Sequence, residues 1–356
     1  MTALTRPARP GDDAAVRPLP WRRMAGVTWR QHRFALAGVA EFLGALSVWL
    51  LLIGMPLHHA YAAALACHPA SSSACAGLDG AFQGMDNLMA GPLTPGGTLL
   101  QAVPVLIGAF AGAPVLAREM ETGTFRYAWT QGFGRWRWAL AKLVALAVVL
   151  TAAGAAFSVL VSWYYQPYFA TGRKQSMVLG AYQTSPFTWF NLREVAFPAW
   201  ILIAFTIGAL AGMLIRRVVP AIIATLVAYA GLVVATGGLL REHYLTPLVT
   251  TSLNVPGTAW ILGQWSTKDG RLAFAGHPSL SLINRFCSSG PAGFGKEGFS
   301  FQAVAQCLAQ HGYTQWTSYQ PASRFWPFEW IEGGWQLALS ALLIAATIWL
   351  VRRRAT

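Results

Sequence analysis

The sequence predicts an all-α membrane protein that crosses the bilayer six times. Only 11% of its 356 residues are charged and 55% are hydrophobic, whereas about 25% of residues are charged in soluble domains. A bilayer core about 30 Å thick needs about 20 apolar residues in a helix. Six windows satisfy this condition: 34–56, 98–117, 139–163, 195–215, 218–239 and 333–351. They lack the polar faces that helices of a soluble protein would need.

The windows and the segments between them divide the chain into five parts. Residues 1–20 are rich in Pro, Arg and Ala without periodicity, which predicts a disordered basic tail. Residues 21–33 alternate Trp with Arg, which is typical of a helix lying in the membrane interface; an ordinary basic flank with interfacial aromatic residues is the alternative. Residues 34–239 contain the first five spans. Residues 240–331 are expected to form an extracytoplasmic subdomain, and residues 332–356 contain the sixth span and a basic tail.

Lys and Arg concentrate on the side of a membrane that faces the cytoplasm. If the N-terminus is cytoplasmic, the inner segments together with Lys142, one turn into the third span, hold 17 of the 26 basic residues. We therefore predict a multi-pass protein of the plasma membrane with both termini in the cytoplasm. Lys142 is expected to extend to the cytoplasmic surface. The net charge of +13 follows from this topology and requires no nucleic-acid partner.

The four cysteines all fall in loops assigned to the outside, which favours an oxidising environment. Pairing within loops, Cys67 with Cys75 and Cys287 with Cys307, is the first choice among three possible connectivities. Four free thiols are the alternative.

The outer segment 240–331 is too long for a structureless loop. Its stretch "FQAVAQCLAQHG", residues 301–312, has apolar residues at helical spacing, so an ordered subdomain is expected. Pro327 argues against one continuous helix through the aromatic stretch that leads into the sixth span.

Small residues mark two helix-packing faces. The second span carries Gly108 and Gly112, and the fourth carries Gly208 and Gly212, each pair four residues apart. Such pairs allow two helices to approach closely. Pro104 and Pro114 are expected to kink the second span.

Glu41 is the one acidic residue within the predicted spans. A carboxylate at the bilayer centre costs about 2.5–3.5 kcal/mol on insertion scales. It either lines a substrate or proton pathway or forms a hydrogen bond with a neighbouring helix.

The motifs of ATP-dependent and hydrolytic enzymes are missing. "GPAGFGK", residues 290–296, has the spacing of a phosphate-binding loop, but Glu297 follows it where Ser or Thr should bind magnesium, and no apolar strand precedes it. The zinc-protease and nucleophile-elbow motifs do not occur. The chain is therefore expected to be no enzyme and to bind no metal or cofactor itself.

A polar loop, "REMETGTFRYAWTQGFGRWRW" at residues 118–138, interrupts the apolar sequence between the second and third spans. It predicts a short helix that begins near Thr122–Thr124, where Phe125 and Trp129 share an apolar face and Arg126 lies off that face. Glu119 and Glu121 precede this helix, at the positive end of its dipole. The apolar face binds either a partner protein or lipid.

Four segments together decide between these readings. "APVLAREMETGTFRYAWTQG", "VTWRQHRFALAG", "GALAGMLIRRVVPAI" and "YQPASRFWPFEWIEGGWQLALSALL" resemble ABC-2 type transporter permeases encoded beside separate ATP-binding proteins. The resemblance covers nearly the whole chain from Trp21.

This resemblance implies six spans of the ABC-2 exporter fold, an N-terminal interfacial helix and a re-entrant helical hairpin before the last span. By the same resemblance, the coupling helix lies at about 119–131, where Glu119, Glu121, Gly123 and Thr124 match the loop motif and Phe125 to Gln131 match the helix. The outer loops, above all 240–331, are longer than in compact members of the family, so a simple outer gate is not expected.

The resemblance also implies two permease subunits, in a homodimer or heterodimer, with two ATPase subunits that bind ATP and Mg. The expected function is export of an amphiphilic or hydrophobic compound such as a drug, antibiotic, lipid or peptide. A membrane sensor or intramembrane enzyme that uses the outer loop is the alternative.

Overall fold

The computed structural model describes residues 21–67, 75, 95–123, 135–171, 185–252, 255–256, 258–287 and 301–353. Within this part, six helices are long and apolar enough to cross a membrane: Gly26–Ala66, Gly96–Thr122, Trp136–Pro167, Pro186–Ile215, Val218–His243 and Ala322–Arg353. The all-α polytopic fold predicted from the sequence is thereby confirmed. The basic tail 1–20 and Thr124, Phe125, Arg126 and Trp129 of the polar loop lie outside the described residues.

The first span is one helix, α1 (Trp21–Ala66), and not an interfacial helix followed by a separate span. Residues 21–33 contain no proline, so nothing in the backbone forces a break there. At 1.5 Å per residue, its 46 residues reach about 69 Å. This helix therefore extends well beyond a bilayer core of about 30 Å.

The second span consists of α2 (Pro95–Ile107), a π-helical segment (Gly108–Gly112) and α3 (Pro114–Thr122). The π-helical segment lies between Pro104 and Pro114, where the sequence predicts a kink. The third span is α4 (Arg135–Thr171). A 3-10 segment (Pro186–Leu192) precedes the fourth span, α5 (Ala196–Ile215).

The fifth span comprises α6 (Val218–Ala235), a π-helical segment (Thr236–Leu240) and a 3-10 turn (Arg241–His243). The sixth span is α9 (Phe325–Arg353), one continuous helix. Pro327 does not interrupt it because it lies in the first turn, where backbone N–H groups have no intrahelical partner.

A small α/β subdomain connects the fifth and sixth spans. Its strands are β1 (Leu248–Thr250), β2 (Trp260–Lys268), β3 (Arg271–Ala275) and β4 (Tyr313–Gln320), and its helices are α7 (Leu280–Cys287) and α8 (Phe301–Gln310). The sheet has the order β1-β4-β2-β3, and all its pairs are antiparallel. The sequence predicted an ordered subdomain and its helix at 301–312, but not the sheet. Strand β4 and a short 3-10 turn (Ala322–Arg324) directly precede the sixth span.

Two disulfides are present, in the first-choice pairing. Cys287–Cys307 joins α7 to α8, beside a small core of Ile283, Val304 and Leu308. Cys67–Cys75 closes a short loop after the first span.

The fourth span occupies the centre of the bundle, where it packs against the second, third, fifth and sixth spans. Most of its residues are buried. By contrast, the first, fifth and sixth spans expose much of their apolar surface. We call the two ends of the bundle the basic end, where α1 begins and α9 finishes, and the sheet end, which carries the α/β subdomain.

Candidate functional site: the basic end and the polar sheet end

The second span finishes at the polar loop with Gly123. This residue has φ of 71°, in the left-handed region, and it terminates α3. Glycine adopts this conformation without the steric penalty of a side chain and is common directly after a helix. The turn directs the chain out of the second span and into the part of the loop that the sequence assigns to the coupling helix.

Glu119 forms a buried ion pair with Lys142 of the third span. The Lys142 side chain is 1% exposed and that of Glu119 is 16% exposed. The Lys142 ammonium also lies 5.0 Å from the centre of the Trp138 ring. The prediction that Lys142 extends to the membrane surface is therefore wrong. Its charge is neutralised inside the bundle, because burial of an unpaired ammonium group would cost several kcal/mol.

Glu121 connects the second span to the fifth. Its Oε2 accepts a hydrogen bond of 3.1 Å from the backbone N–H of Val218, the first residue of α6. The N–H groups of a first helical turn have no intrahelical partner and carry partial positive charge, so a carboxylate is favourable there. Glu119 and Glu121 thus bind the second span to the third and fifth, and their contacts lie within the chain.

The four predicted packing glycines lie together where the second and fourth spans cross. A Cβ atom on Gly208 would lie 2.4 Å from the carbonyl oxygen of Gly108, and one on Gly212 would lie 2.4 Å from that of Ala113. A Cβ atom on Gly112 would lie 2.6 Å from the carbonyl oxygen of Phe205. Only glycine permits this backbone contact, because larger residues would force the helices apart.

Glu41 is exposed on the surface of the single chain. The opposite side of the first span contributes Leu43, Leu46 and Leu50 to the main hydrophobic core. The structure thus places Glu41 on the outward side of its helix, away from the packed interior. It takes no part in the ion pair of Glu119 with Lys142 or in the hydrogen bond of Glu121 with Val218.

At the sheet end, Glu332 organises a polar cluster that sequence reasoning missed. Arg241 donates to both of its carboxylate oxygens, from Nε at 2.9 Å and from Nη2 at 2.7 Å. The indole N–H of Trp200 donates at 3.0 Å and the hydroxyl of Tyr244 at 3.3 Å. Burial and the neighbouring carboxylate raise the pKa of the Tyr244 phenol, so it remains a donor. These contacts join the fourth, fifth and sixth spans.

Glu329, one helical turn before Glu332, caps the fourth span. Its Oε2 accepts hydrogen bonds from the backbone N–H groups of Val195 at 2.9 Å and Ala196 at 2.7 Å. It thereby binds two N–H groups at the start of α5 that lack intrahelical partners. The two acids three residues apart in "FEWIEGG" were the available signal. They were overlooked because the predicted sixth span began after them.

No metal centre is evident in the described residues, among which no group of three or more His, Cys, Asp and Glu side chains is arranged to hold an ion.

Comparison with known proteins identifies the family of the chain. The family described as ABC-2 membrane transporter related matches residues 40–241, which is more than half of the chain and runs from within the first span to near the end of the fifth. No curated protein and no solved structure matches the chain. ABC-2 proteins are the transmembrane components of ABC transporters, are not themselves catalytic, and in general have an ABC ATP-binding partner. The chain therefore belongs to the ABC-2 membrane transporter related family and is a multi-pass transport permease.

Proposed function

We propose that this permease is an exporter and that an ATPase subunit bound to the polar loop at the basic end drives it. The observation that carries the proposal is the pair of contacts made by Glu119 and Glu121. Because they bind the second span to the third and the fifth, a force on the loop reaches three spans at once. A loop with this attachment suits the transmission of a conformational change.

The proposed assembly contains two permease subunits, in a homodimer or heterodimer, and two ATPase subunits that bind ATP and Mg. The chain itself is proposed to bind no cofactor. It lies in the lipid of the plasma membrane with its basic end in the cytoplasm. The distribution of Lys and Arg supports this orientation. A cysteine introduced at Ser288 should react with a membrane-impermeant thiol reagent added outside cells, and one introduced at Thr130 should not; the reverse pattern contradicts the orientation.

The proposed substrate is an amphiphilic or hydrophobic compound such as a drug, antibiotic, lipid or peptide. The exposed surfaces of the first and fifth spans are apolar, and Glu41 supplies one acid on the outward side of the first span. A carboxylate in contact with lipid is costly. This side therefore suits an aqueous pathway or a second subunit better than lipid, and we assign Glu41 to the substrate pathway.

The polar loop is the place to test the proposal. Phe125 and Trp129 share a face in the predicted helix, and an aromatic anchor in a partner's groove contributes about 2 kcal/mol or more. We expect Phe125→Ala with Trp129→Ala to weaken co-elution with the ATPase subunit, or to lower transport per ATP hydrolysed. The spans should still fold, because the substitutions lie outside the predicted membrane core.

A suitable control removes an aromatic ring at the other end of the bundle. Trp330 is 65% exposed at the sheet end, so Trp330→Ala should leave ATPase binding and coupling unchanged. If the double variant also assembles and couples normally, the apolar face of the loop rests on lipid and the proposed drive through this loop is wrong. The sensor and intramembrane-enzyme alternatives have no support in a family of transport permeases.

A further inference from the structure

One side of the sixth span carries a series of buried polar residues. It carries five buried polar residues, each no more than 1% exposed: Glu329, Glu332, Gln336, Ser340 and Thr347. Their spacing of three, four, four and seven residues places them in one row on the helix. At 1.5 Å per residue the row extends about 27 Å, close to the bilayer core thickness of about 30 Å. We call it the polar row.

The polar row faces protein and not lipid. The sixth span packs against the third and fourth spans. Gly333, within the row, lies so close to the fourth span that a Cβ atom there would be 2.7 Å from Cγ1 of Val195. The lipid-facing side is different and carries Leu337, 50% exposed.

The middle of the row lacks hydrogen-bond partners. Glu332 is bound by Arg241, and the hydroxyl of Thr347 donates to the carbonyl of Leu343 at 2.8 Å. Within the described part of the protein, however, neither Nε2 nor Oε1 of Gln336 has a partner, and neither does Oγ of Ser340. Each buried group left without a hydrogen bond costs about 1–3 kcal/mol. Three such atoms on adjacent turns are a large cost for one helix, and Oε1 of Glu329 in the same row also has no partner among the described residues.

A second helix shows the same feature independently. The third span, which also packs against the sixth, carries Thr151 and Ser162, whose buried hydroxyl groups likewise have no partner among the described residues. These residues share a face of the third span with Ser158. The hydroxyl of Ser158 donates to the carbonyl of Glu194 at 3.2 Å, directly before the fourth span.

We propose that the polar row is one wall of a water-accessible path inside a single permease chain. Water can satisfy Gln336 and Ser340 because buried water normally bonds to polar groups that lack protein partners. The Gln336 amide offers donors and an acceptor, and the Ser340 hydroxyl offers both. The path therefore suits uncharged hydrogen-bonding groups, such as the hydroxyls or amides of an amphiphilic substrate. At the sheet end, the contacts of Glu329 and Glu332 close it. As a transport path, this inference rests on the proposed function.

Thiol accessibility tests the water directly, without a known substrate. The four native cysteines form disulfides. The wild-type protein should therefore not react with the reagent, and it gives the background signal. Gln336→Cys, Ser340→Cys and the control Leu337→Cys would each be treated in membranes with a small hydrophilic thiol reagent, which reacts with thiolate and so requires water at the sulfur. Leu337 is adjacent to Gln336 and hence at matched depth, but it faces lipid.

We expect the Gln336→Cys and Ser340→Cys variants to react at least about tenfold faster than the Leu337→Cys control. Ser340→Cys exchanges a single atom, so this variant should fold even if Gln336→Cys does not. Reaction of the Ser340→Cys variant at the rate of the control would mean that the row is dry, and would overturn the proposal. The labelling uses the permease alone, so a failure of ATPase coupling would leave this result unaffected.

Discussion

The Lys142–Glu119 ion pair allows a sharp test of the packing at the basic end. Substituting Lys142 by Met keeps a similar length but removes the charge, which leaves Glu119 partly buried opposite an apolar side chain. Loss of one partner of a buried ion pair costs about 3–5 kcal/mol, because the remaining charge has lost its compensation. Both side chains are largely buried, at 1% exposure for Lys142 and 16% for Glu119. The cost of about 3–5 kcal/mol for a buried pair therefore applies, and not the roughly 0–1 kcal/mol that a surface ion pair contributes.

The assay is thermal unfolding of the purified permease in detergent, followed by loss of the monodisperse species. A destabilisation of this size should lower the unfolding temperature on the order of 5–10 °C. Lys268→Met is the control. Lys268 lies in the α/β subdomain, and its ammonium is 4.7 Å from the ring centre of Tyr313, a contact worth about 0.5–1 kcal/mol.

A second variant separates the charge from the packing. Glu119→Leu combined with Lys142→Met removes both charges, and replacing a buried pair by apolar residues of similar volume is often neutral or stabilising. We therefore expect the double variant to recover most of the stability lost in Lys142→Met. The reasoning is refuted if Lys142→Met unfolds within about 1 °C of the wild type, or if the double variant is as unstable as Lys142→Met.

Three further predictions concern the spans and the subdomain. Glu41→Gln should alter transport without lowering expression; wild-type transport, or poor expression, would count against a place in the pathway. Gly208→Ala should lower the stability of the permease in thermal unfolding by about 1–3 kcal/mol, because the added Cβ atom would meet backbone atoms of the second span. Gly231→Ala is the control, since no atom outside its own helix lies within 4 Å of the position of its Cβ, and it should not destabilise the protein. Equal effects of the two substitutions would contradict the close crossing of the second and fourth spans. Mass spectrometry of unreduced, alkylated protein should find no modified Cys287 or Cys307, and alkylation of both would exclude that disulfide.

The spans were predictable because their signal is local. A run of about 20 apolar residues is sufficient to identify a membrane helix, and glycine spacing alone singled out the residues of the crossing between the second and fourth spans. Residues 21–33 were expected to form a helix in the membrane interface that leads into the first span, and in the structure they are the first turns of the helix that forms this span. Trp and Arg at an interface are compatible with a helix that simply continues into the membrane.

The contacts that organise the two ends were not predictable, since they join distant parts of the chain. Lys142 and Glu119 are 23 residues apart, and Glu329 binds backbone groups more than 130 residues away. The sheet was missed for the same reason. Strands β2 and β4 both contain aromatic and β-branched residues, but the whole of β3, α7 and α8 separates them in the sequence.

The glycine crossing has a mechanical consequence for the permease. Side chains between two helices can change rotamer and absorb a displacement, but Gly108, Gly112, Gly208 and Gly212 bring backbone against backbone. We therefore expect the second and fourth spans to shift as one rigid body. The polar loop is attached to one end of that body, and Glu329 is bound to the other end through Ala196. A displacement at the basic end would then be transmitted along these two spans to the sheet end with little loss, while the first span, which exposes much of its apolar surface, is freer to move.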